Sequence, residues 1–378
     1  MSVEFIGLIS TKDFSETRLR PGPAVDREYV QRLVRAHEDS DFDRVLIGYA
    51  SGQPDGLQVA AFAAAHSERL GFLVAHRPGF VFPTVAARAF ASLDQFAEGR
   101  IALHTITGGI DAEQRRDGDY LPKQDRYART DEYLGILRRA WSETAPFDHE
   151  GEYYRFGDFV SDVRPYRAEG IPIYFGGSSE AAYRVGGKHA DTFALFAEPL
   201  ADTAEQIASV RAAAAAAGRS EAPGISISFR PILGATEELA WERAHRILET
   251  TQANRAVAGA FFARFNPNAE RSVGSQRLLA AAERGARHDR ALWTELAKAT
   301  GAQGNSNALV GTPETVAEAL LDYVDLGATT LLIRGYDPYD DAIDYGRELI
   351  PLVREELRRR EAGETRTSTE TAALAAAS

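Results

Sequence analysis

The feature that most constrains the fold is a repeated alternation between short apolar runs and longer segments with helical periodicity. The eight apolar runs are residues 3–9, 44–48, 72–75, 101–107, 173–175, 192–196, 225–233 and 329–333. Strands that alternate with helices favour parallel pairing, because each helix returns the chain to the same end of the sheet. Eight parallel strands close a TIM-type (β/α)8 barrel, which is the α/β fold that we predict. A doubly wound open sheet is the structural alternative.

Two segments exceed what a minimal barrel needs. Residues 147–170 form a β-rich insertion before the predicted fifth strand, and residues 251–308 form a long insertion between the seventh and eighth strands. We therefore expect one barrel domain over residues 1–360, followed by a flexible tail over residues 361–378. Residues 301–307 offer few side chains that pack, so an active-site lid and an ordinary surface loop both stay open.

The composition excludes several kinds of site. The 378-residue chain contains no cysteine, which rules out disulfides, thiolate metal ligands and cysteine nucleophiles. Its eight histidines show no metal-ligand spacing, and neither HExxH nor GxSxG occurs, so we expect no metal site and no serine hydrolase. The net charge of −12 argues against a nucleic-acid partner.

Membrane insertion and export also lack sequence support. No apolar run reaches the roughly 18 residues that a membrane span needs. Residues 1–10 lack the basic and apolar regions of a signal peptide. Because 44% of the residues are hydrophobic, the chain has enough apolar side chains for a large buried core. We therefore expect a cytoplasmic protein with no membrane partner.

The carboxyl ends of the predicted strands are unexpectedly rich in cations and hydroxyl groups for so acidic a chain. The main candidates for functional side chains at these strand ends are Lys12, His76, Arg230 and Tyr336. In a (β/α)8 barrel the active site lies at this end of the strands. The contrast between local and overall charge predicts a pocket for a small anionic organic substrate. The alternative is that some of these side chains face solvent or pair with acidic neighbours.

A glycine–serine turn follows the predicted fifth strand and precedes a helical segment. Its members are Gly176, Gly177, Ser178 and Ser179. Glycines allow an anion to approach the backbone, and serine hydroxyls with free N–H groups at a helix start can bind phosphate. The turn is therefore a candidate phosphate site. An ordinary turn with a serine as the helix cap is the alternative.

A second candidate phosphate contact lies at the start of the helix after the fourth strand. Arg126 in this segment could make a charged hydrogen bond to a phosphate. Without the context of a protein family, a surface salt bridge with Asp125 or Glu132 is the favoured interpretation of the same residue.

Several blocks, in the same order along the chain, resemble the bacterial luciferase family of flavin monooxygenases, and within it alkanesulfonate monooxygenase. The blocks are residues 81–88, 93–95, 99–100, 107–108, 126–127, 174–179, 307–311 and 335–336. The resemblance implies a (β/α)8 barrel, O2 as co-substrate and reduced FMN, which a separate NAD(P)H:FMN reductase supplies. It also implies assembly as a homodimer or homotetramer through helices near the early strands.

The same resemblance assigns cofactor contacts. The implied phosphate contacts are Arg126, Ser178 and Ser179, and the flavin ring would rest at the ends of the third and fourth strands. The full set of predicted cofactor-binding residues is Ala75, Thr107, Gly108, Arg126, Tyr127, Gly176, Gly177, Ser178 and Ser179.

The sequence departs from the sulfonate enzymes around the substrate. It has Gln53-Pro54-Asp55 in place of a cysteine, Ser228-Phe229-Arg230 in place of Arg-x-His, and Phe196 in place of a tryptophan. Lys12 stands in place of a histidine. We expect a reshaped anion pocket, and a different substrate from that of the family's sulfonate enzymes.

Four residues are the predicted catalytic set. They are Arg230, Lys12, Tyr336 and His76. The first three would hold the anionic head group, and the proton would come from Tyr336, Arg230 or His76. The predicted activity is oxidative C–S cleavage of a sulfonate with release of sulfite, although a sulfonated sugar or a sulfone would also suit. The alternatives are an F420- or FMN-dependent oxidoreductase acting on another substrate and a non-catalytic flavin-binding paralogue.

Overall fold

The computed structural model describes residues 3–19, 22–257, 271–302 and 307–363. Its strands are β1 (Glu4–Ile9), β2 (Arg44–Ile47), β3 (Gly71–His76), β4 (Ile101–Thr105), β5 (Phe147–Glu150), β6 (Arg155–Phe159), β7 (Ile173–Gly176), β8 (Thr192–Phe196), β9 (Gly224–Leu233), β10 (Arg287–His288), β11 (Leu292–Trp293), β12 (Ala308–Gly311) and β13 (Ala328–Ile333). The helices are α1 (Arg27–Asp39), α2 (Gly56–Ala64), α3 (Pro83–Phe96), α4 (Asp111–Arg116), α5 (Lys123–Ser142), α6 (Glu180–His189), α7 (Leu200–Ala216), α8 (Glu237–Val257), α9 (Val273–Arg284), α10 (Glu295–Thr300), α11 (Pro313–Asp325), α12 (Pro338–Asp344) and α13 (Ile350–Glu361). A π-helical turn, Tyr345–Leu349, joins the last two helices.

Eight of these strands close a parallel barrel. Their order around the barrel is β1, β2, β3, β4, β7, β8, β9 and β13. The barrel closes because β13 pairs in parallel with β1, and β8 pairs in parallel with β9. The predicted (β/α)8 fold is therefore confirmed, and the open-sheet alternative is wrong.

Side chains alternate between the barrel interior and the helical layer along each strand. Ile6, Leu73, Ala102, Tyr174 and Leu332 pack together inside the barrel. Their neighbours in sequence face outward into the larger core that the strands share with the helices. This parity matters for the site, because the residue two positions beyond each interior residue also points inward, at the carboxyl end of the barrel.

The first predicted insertion is a β-hairpin. Strands β5 and β6 pair antiparallel, with Phe147 opposite Phe159. Aromatic contacts join this hairpin to the start of α3, since the ring of Phe82 lies 6.3 Å from that of Phe156 in an edge-on arrangement. This hairpin accounts for the β-rich character predicted for residues 147–170.

The second insertion contains elements that the sequence analysis did not predict. Strand β12 pairs in parallel with the second half of β9, from Ala308 opposite Arg230 to Gly311 opposite Leu233. The ten-residue β9 thus serves the barrel with its first half and extends beyond it with its second. The proposed lid, residues 301–307, falls largely on residues 303–306, which lie outside the described residues, as does most of the predicted tail.

Within the described part of the chain, no helix is long and apolar enough to span a membrane.

Candidate active site

The carboxyl end of the barrel forms an open mouth, where two small residues lie among larger side chains. Each residue of the interior cluster is followed, two positions later in the sequence, by a residue that also points inward at this end of the barrel. These residues are Leu8, Ala75, His104, Gly176 and Arg334. Ala75 is buried and the other four are partly exposed. A β-carbon built at Gly176 would lie 3.3 Å from the His104 ring, so the two residues are in contact at the mouth.

Arg230 is the most completely buried cation of the mouth. Its side chain is only 2% exposed, and its guanidinium donates to both carboxylate oxygens of Glu16 at 3.0 Å. It also donates to the carbonyl of Gly335 at 3.0 Å and lies 3.8 Å from the centroid of the Tyr336 ring. An acidic neighbour therefore already holds the arginine that we predicted to bind the substrate anion.

A second cation, Arg334, stands beside this pair. It follows β13 directly, donates to Glu16 at 3.4 Å, and has 30% of its side chain exposed. Burial and the neighbouring charge of Arg230 lower the pKa of Arg334 to about 10, which leaves it cationic at neutral pH. Arg334 is thus better placed than Arg230 to meet an anion from solvent.

A cavity of about 210 Å³ opens at these residues. Its charged lining consists of Glu16, Arg230, Arg255 and Arg334. Its apolar walls include Leu8, Phe14, Leu19, Phe42 and Ile333. The cavity therefore combines a cationic end with an apolar body.

Three residues of the predicted catalytic set, Tyr336, Lys12 and His76, do not line this cavity. Tyr336 packs with Trp293, Leu296 and Val310 in a separate buried cluster, and burial raises the pKa of its hydroxyl to about 12. The ammonium of Lys12 lies 5.6 Å from the centroid of the Phe14 ring, at the edge of the mouth. Of the three predicted anion contacts, the structure brings only Arg230 to the cavity.

His76 lies on the outer side of the barrel wall. Strand parity turns it away from Ala75, and its Nε2 is 2.7 Å from the hydroxyl of Tyr133 on α5. The ring also meets Phe90 of α3 edge-on, and burial lowers the pKa of His76 to about 4. This placement corresponds to packing between barrel and helices, so it gives no geometric support to a catalytic role.

The glycine–serine turn joins β7 to α6, as predicted. The side chain of Ser179 caps α6 by accepting from the N–H of Ala182 at 3.2 Å. The same hydroxyl donates to the hydroxyl of Tyr127 at 3.3 Å. A β-carbon at Gly177 would lie 2.6 Å from that of Ala182, so only glycine fits there. The turn therefore presents backbone N–H groups and hydroxyls at the start of a helix.

Ser178 of this turn lies beneath the start of α9. A β-carbon at Gly274 would come within 3.5 Å of the Ser178 hydroxyl and 3.2 Å of the Phe196 ring. Helix α9 begins with Ser272 as its cap, and a β-carbon at Gly109 would approach that serine at 3.3 Å. The insertion after β9 thus covers the turn from above.

Arg126 supports the loop after β4. Its guanidinium is buried and donates to the carbonyls of Leu121 and Gly108, at 2.5 and 3.3 Å, and to Asp111 at 2.8 Å. Neither Asp125 nor Glu132, the partners of the alternative interpretation, is among these contacts. The Nε of Arg126 has no hydrogen-bond partner within the described residues.

The loop that Arg126 supports contains two further predicted cofactor contacts. Gly108 has a φ of +94°, and a β-carbon there would collide with Gln114 at 2.4 Å. The hydroxyl of Thr107 is buried without a hydrogen-bond partner among the described residues. The loop thus offers a close backbone approach and an unused polar group next to the mouth.

Sequence reasoning assigned no role to three residues of this site, Glu16, Arg334 and His104. Glu16 gave no local signal, because it lies in a loop, seven residues beyond the end of β1 at Ile9. Arg334 directly follows a predicted strand, and strand parity from Leu332 would have turned it inward. The same parity from Ala102 would have identified His104, whose pKa is lowered by burial to about 4 and whose Nδ1 has no hydrogen-bond partner among the described residues.

The described residues contain no group of three or more histidine or acidic side chains that could hold a metal ion.

The chain thus forms a (β/α)8 barrel whose candidate functional groups lie at the carboxyl end of the strands, where enzymes with this fold have their active sites. Residues 6–330 match the sequence profile of the luciferase-like monooxygenases. The chain therefore belongs to the luciferase-like monooxygenase family. The nearer resemblance to alkanesulfonate monooxygenase stays a prediction.

Three solved structures illustrate the shared fold. Riboflavin lyase with modified FMN and riboflavin has a TM-score of 0.78 and 21% identity, covering 94% of this chain and 92% of its own. EDTA monooxygenase from Chelativorans sp. BNC1 has a TM-score of 0.73 and 18% identity, covering 94% of each chain. An F420-dependent secondary alcohol dehydrogenase with an F420–acetone adduct has a TM-score of 0.67 and 16% identity, covering 93% of this chain and 99% of its own.

Proposed function

We propose that this protein is a two-component monooxygenase that oxidises a small organosulfur anion with reduced FMN and O2. A separate NAD(P)H:FMN reductase supplies the reduced flavin, and the reaction is the oxidative C–S cleavage of a sulfonate with release of sulfite. The observation that carries the proposal is one barrel mouth with two features: a glycine–serine turn at a helix start and a cationic cavity at Arg334.

The turn and the loop after β4 fit the phosphate end of FMN. Ser178, Ser179 and the first N–H groups of α6 would hold the phosphate, because a helix start presents free donors to an anion. Tyr127 positions Ser179 through the 3.3 Å hydrogen bond between their hydroxyls. The riboflavin lyase of the same fold was solved with modified FMN, which agrees with this assignment.

The small residues of the mouth fit the flavin ring. Ala75 and Gly176 give the ring room, and a β-carbon at Gly48 would meet no atom within 4 Å. Next to this space, the Thr107 hydroxyl and His104 Nδ1 are buried without hydrogen-bond partners among the described residues. Unpartnered buried polar groups cost free energy, and a polar ring edge would satisfy them.

The cavity beside Arg334 fits the substrate. Its guanidinium would hold the anionic head group, and the walls formed by Leu8, Phe14 and Ile333 would receive an apolar body. Arg230 contributes as a positioning residue, because Glu16 occupies two of its donors.

Reduced flavin, when bound, supplies the electrons and the activation of O2. The chain supplies orientation and a group that can accept a proton. His104 fits this second task, because its imidazole is neutral above about pH 4 and faces Gly176 at the mouth.

A coupled assay that measures oxygen consumption and sulfite release tests the proposal. The protein is mixed with a flavin reductase, NAD(P)H and FMN, with and without a panel of sulfonates, sulfones and aldehydes. Sulfonate-dependent sulfite release supports the proposal, and Arg334→Gln should raise the KM for the sulfonate. Substrate-dependent reduction of F420 without use of O2 would replace it with the dehydrogenase alternative. Flavin binding without turnover on any compound would favour the non-catalytic alternative.

A further inference from the structure

Glu16 is fixed in place by contacts from three elements. The side-chain amide of Asn254 on α8 donates to the Glu16 carbonyl at 2.9 Å. The hydroxyl of the next residue, Thr17, donates to the carbonyl of Tyr336 at 3.0 Å. The Glu16 carboxylate accepts from Arg230 on β9 and from Arg334 after β13. The loop after β1 therefore holds one carboxylate between two arginines at the substrate cavity.

This carboxylate is a permanent negative charge. Burial alone would raise the pKa of Glu16, but the charges of Arg230 and Arg334 hold it well below its usual range. Glu16 therefore stays ionised throughout the neutral range and cannot serve there as a proton donor. Its remaining effect on the site is electrostatic and positional.

The charge of Glu16 changes what the cavity can bind. The charged lining comprises three arginines and this single glutamate. Arg230 donates two hydrogen bonds to Glu16 and a third to the Gly335 carbonyl. A carboxylate that already lies between the cations repels a second negative charge on any ligand placed there. Attraction of anions alone does not explain a carboxylate at this position, because the Glu16 charge weakens that attraction.

We infer that Glu16 is a specificity-determining residue that tunes the cavity to singly charged anions and disfavours doubly charged ones. The inference rests on the proposed function, in which this cavity holds an anionic substrate. It adds the charge class of that substrate, and it assigns the selection to a residue outside the catalytic set.

Binding of two matched probes tests the inference without turnover. Propane-1-sulfonate and propane-1,3-disulfonate have the same carbon chain, and their charges do not change with pH. Isothermal titration calorimetry measures the Kd of each probe for the full chain, with and without saturating oxidised FMN. The variants are Glu16→Gln, the charge-retaining Glu16→Asp, and Glu205→Gln as a control on an exposed residue of α7. Thermal unfolding checks that each variant folds.

Glu16→Gln should shift the ratio of the two Kd values at least about tenfold toward the disulfonate, as expected for a unit charge a few ångströms away in a water-accessible site. Glu16→Asp and Glu205→Gln should leave the ratio near its native value. Arg334→Gln, which removes a partly exposed cation, should shift the ratio the other way. The native protein itself should bind the monosulfonate more tightly than the disulfonate, and the opposite preference would overturn the inference even if Glu16→Gln does not fold.

Two further results would overturn the inference, and they differ. If the native protein binds the monosulfonate but a folded Glu16→Gln leaves the ratio unchanged, the charge-selection role fails while the anion pocket stands. If neither probe binds to the native protein or to any variant, both the inference and the proposed anionic substrate fail.

Discussion

Glu16 and Arg230 are 214 positions apart in the sequence, yet they form a two-pronged ion pair with both N–O distances at 3.0 Å. The pair ties the loop after the first barrel strand to the seventh, at the mouth where chemistry occurs in such barrels. Arg334 lies beside the pair and has 30% of its side chain exposed. The electrostatics of the mouth therefore depend on a contact that no local pattern contains.

Acid sensitivity tests this pair. Because the pKa of Glu16 is held below its unfolded value of 4.5, its ionised form stabilises the fold above that pH. The contribution is lost as pH falls further into the acid range. Glu16→Gln should therefore lower stability at neutral pH and flatten the decline below about pH 5. Urea unfolding at a series of pH values measures both effects, and an unchanged acid decline would contradict the assigned pKa shift.

Three histidines with lowered pKa values should add to acid sensitivity at higher pH. Burial lowers the pKa of His37, His76 and His104 to about 4 each, from 6.5. The unfolded chain thus binds protons that the folded chain does not, so stability is full above pH 6.5 and falls as pH decreases toward 4. His76→Gln should reduce the slope of this decline by about one proton. NMR signals of folded rings that titrate near pH 6.5 would contradict the prediction.

Replacing Arg126 should distinguish a phosphate contact from a purely structural role. If its free Nε donates to the phosphate, Arg126→Met should weaken FMN by about 1.5–3 kcal/mol and leave riboflavin nearly unaffected. Fluorescence titration with both flavins measures this difference. Arg155→Gln is a control, because Arg155 is 79% exposed on the hairpin. Equal losses for both flavins would mean that Arg126 only holds the Gly108 loop.

Filling the mouth should block the flavin without unfolding the barrel. A β-carbon at Gly48 meets no atom within 4 Å, so Gly48→Leu should change stability by no more than about 0.5 kcal/mol. Its side chain would extend into the mouth and should weaken both FMN and riboflavin more than about tenfold. Gly135→Leu is the matched control, because its β-carbon also meets no atom within 4 Å and it lies on the outer helix α5. Native affinity in Gly48→Leu would place the flavin ring elsewhere.

The barrel was predictable because its strands carry their own signal. Runs such as residues 192–196 and 329–333 are apolar on both faces, as expected of strands buried between a barrel interior and a helical layer. Strand β12 escaped prediction because four small and apolar residues within an insertion do not differ from a packed loop. Its identity depends on pairing with the extended end of β9, which is a tertiary contact.

The site was only partly predictable, for two physical reasons. The glycine–serine turn and its cap are local and followed from residue types, whereas the Glu16 pair depends on the path of a loop. Strand parity explains the remaining differences: it turns His76 outward and Arg334 inward. Parity ends where the strand ends, so Tyr336 leaves the mouth and packs against Trp293. The predicted dimer or tetramer stays a prediction.

The most direct test of the central claim is a single-turnover measurement of sulfite. The protein is mixed anaerobically with one equivalent of reduced FMN and excess propane-1-sulfonate, and is then exposed to O2. The account predicts sulfite in amounts close to the reduced flavin supplied, with Arg334→Gln releasing much less at the same sulfonate concentration. Full oxidation of the flavin with reduction of O2 to hydrogen peroxide, and no sulfite from this or any other organosulfur anion tested, would contradict it.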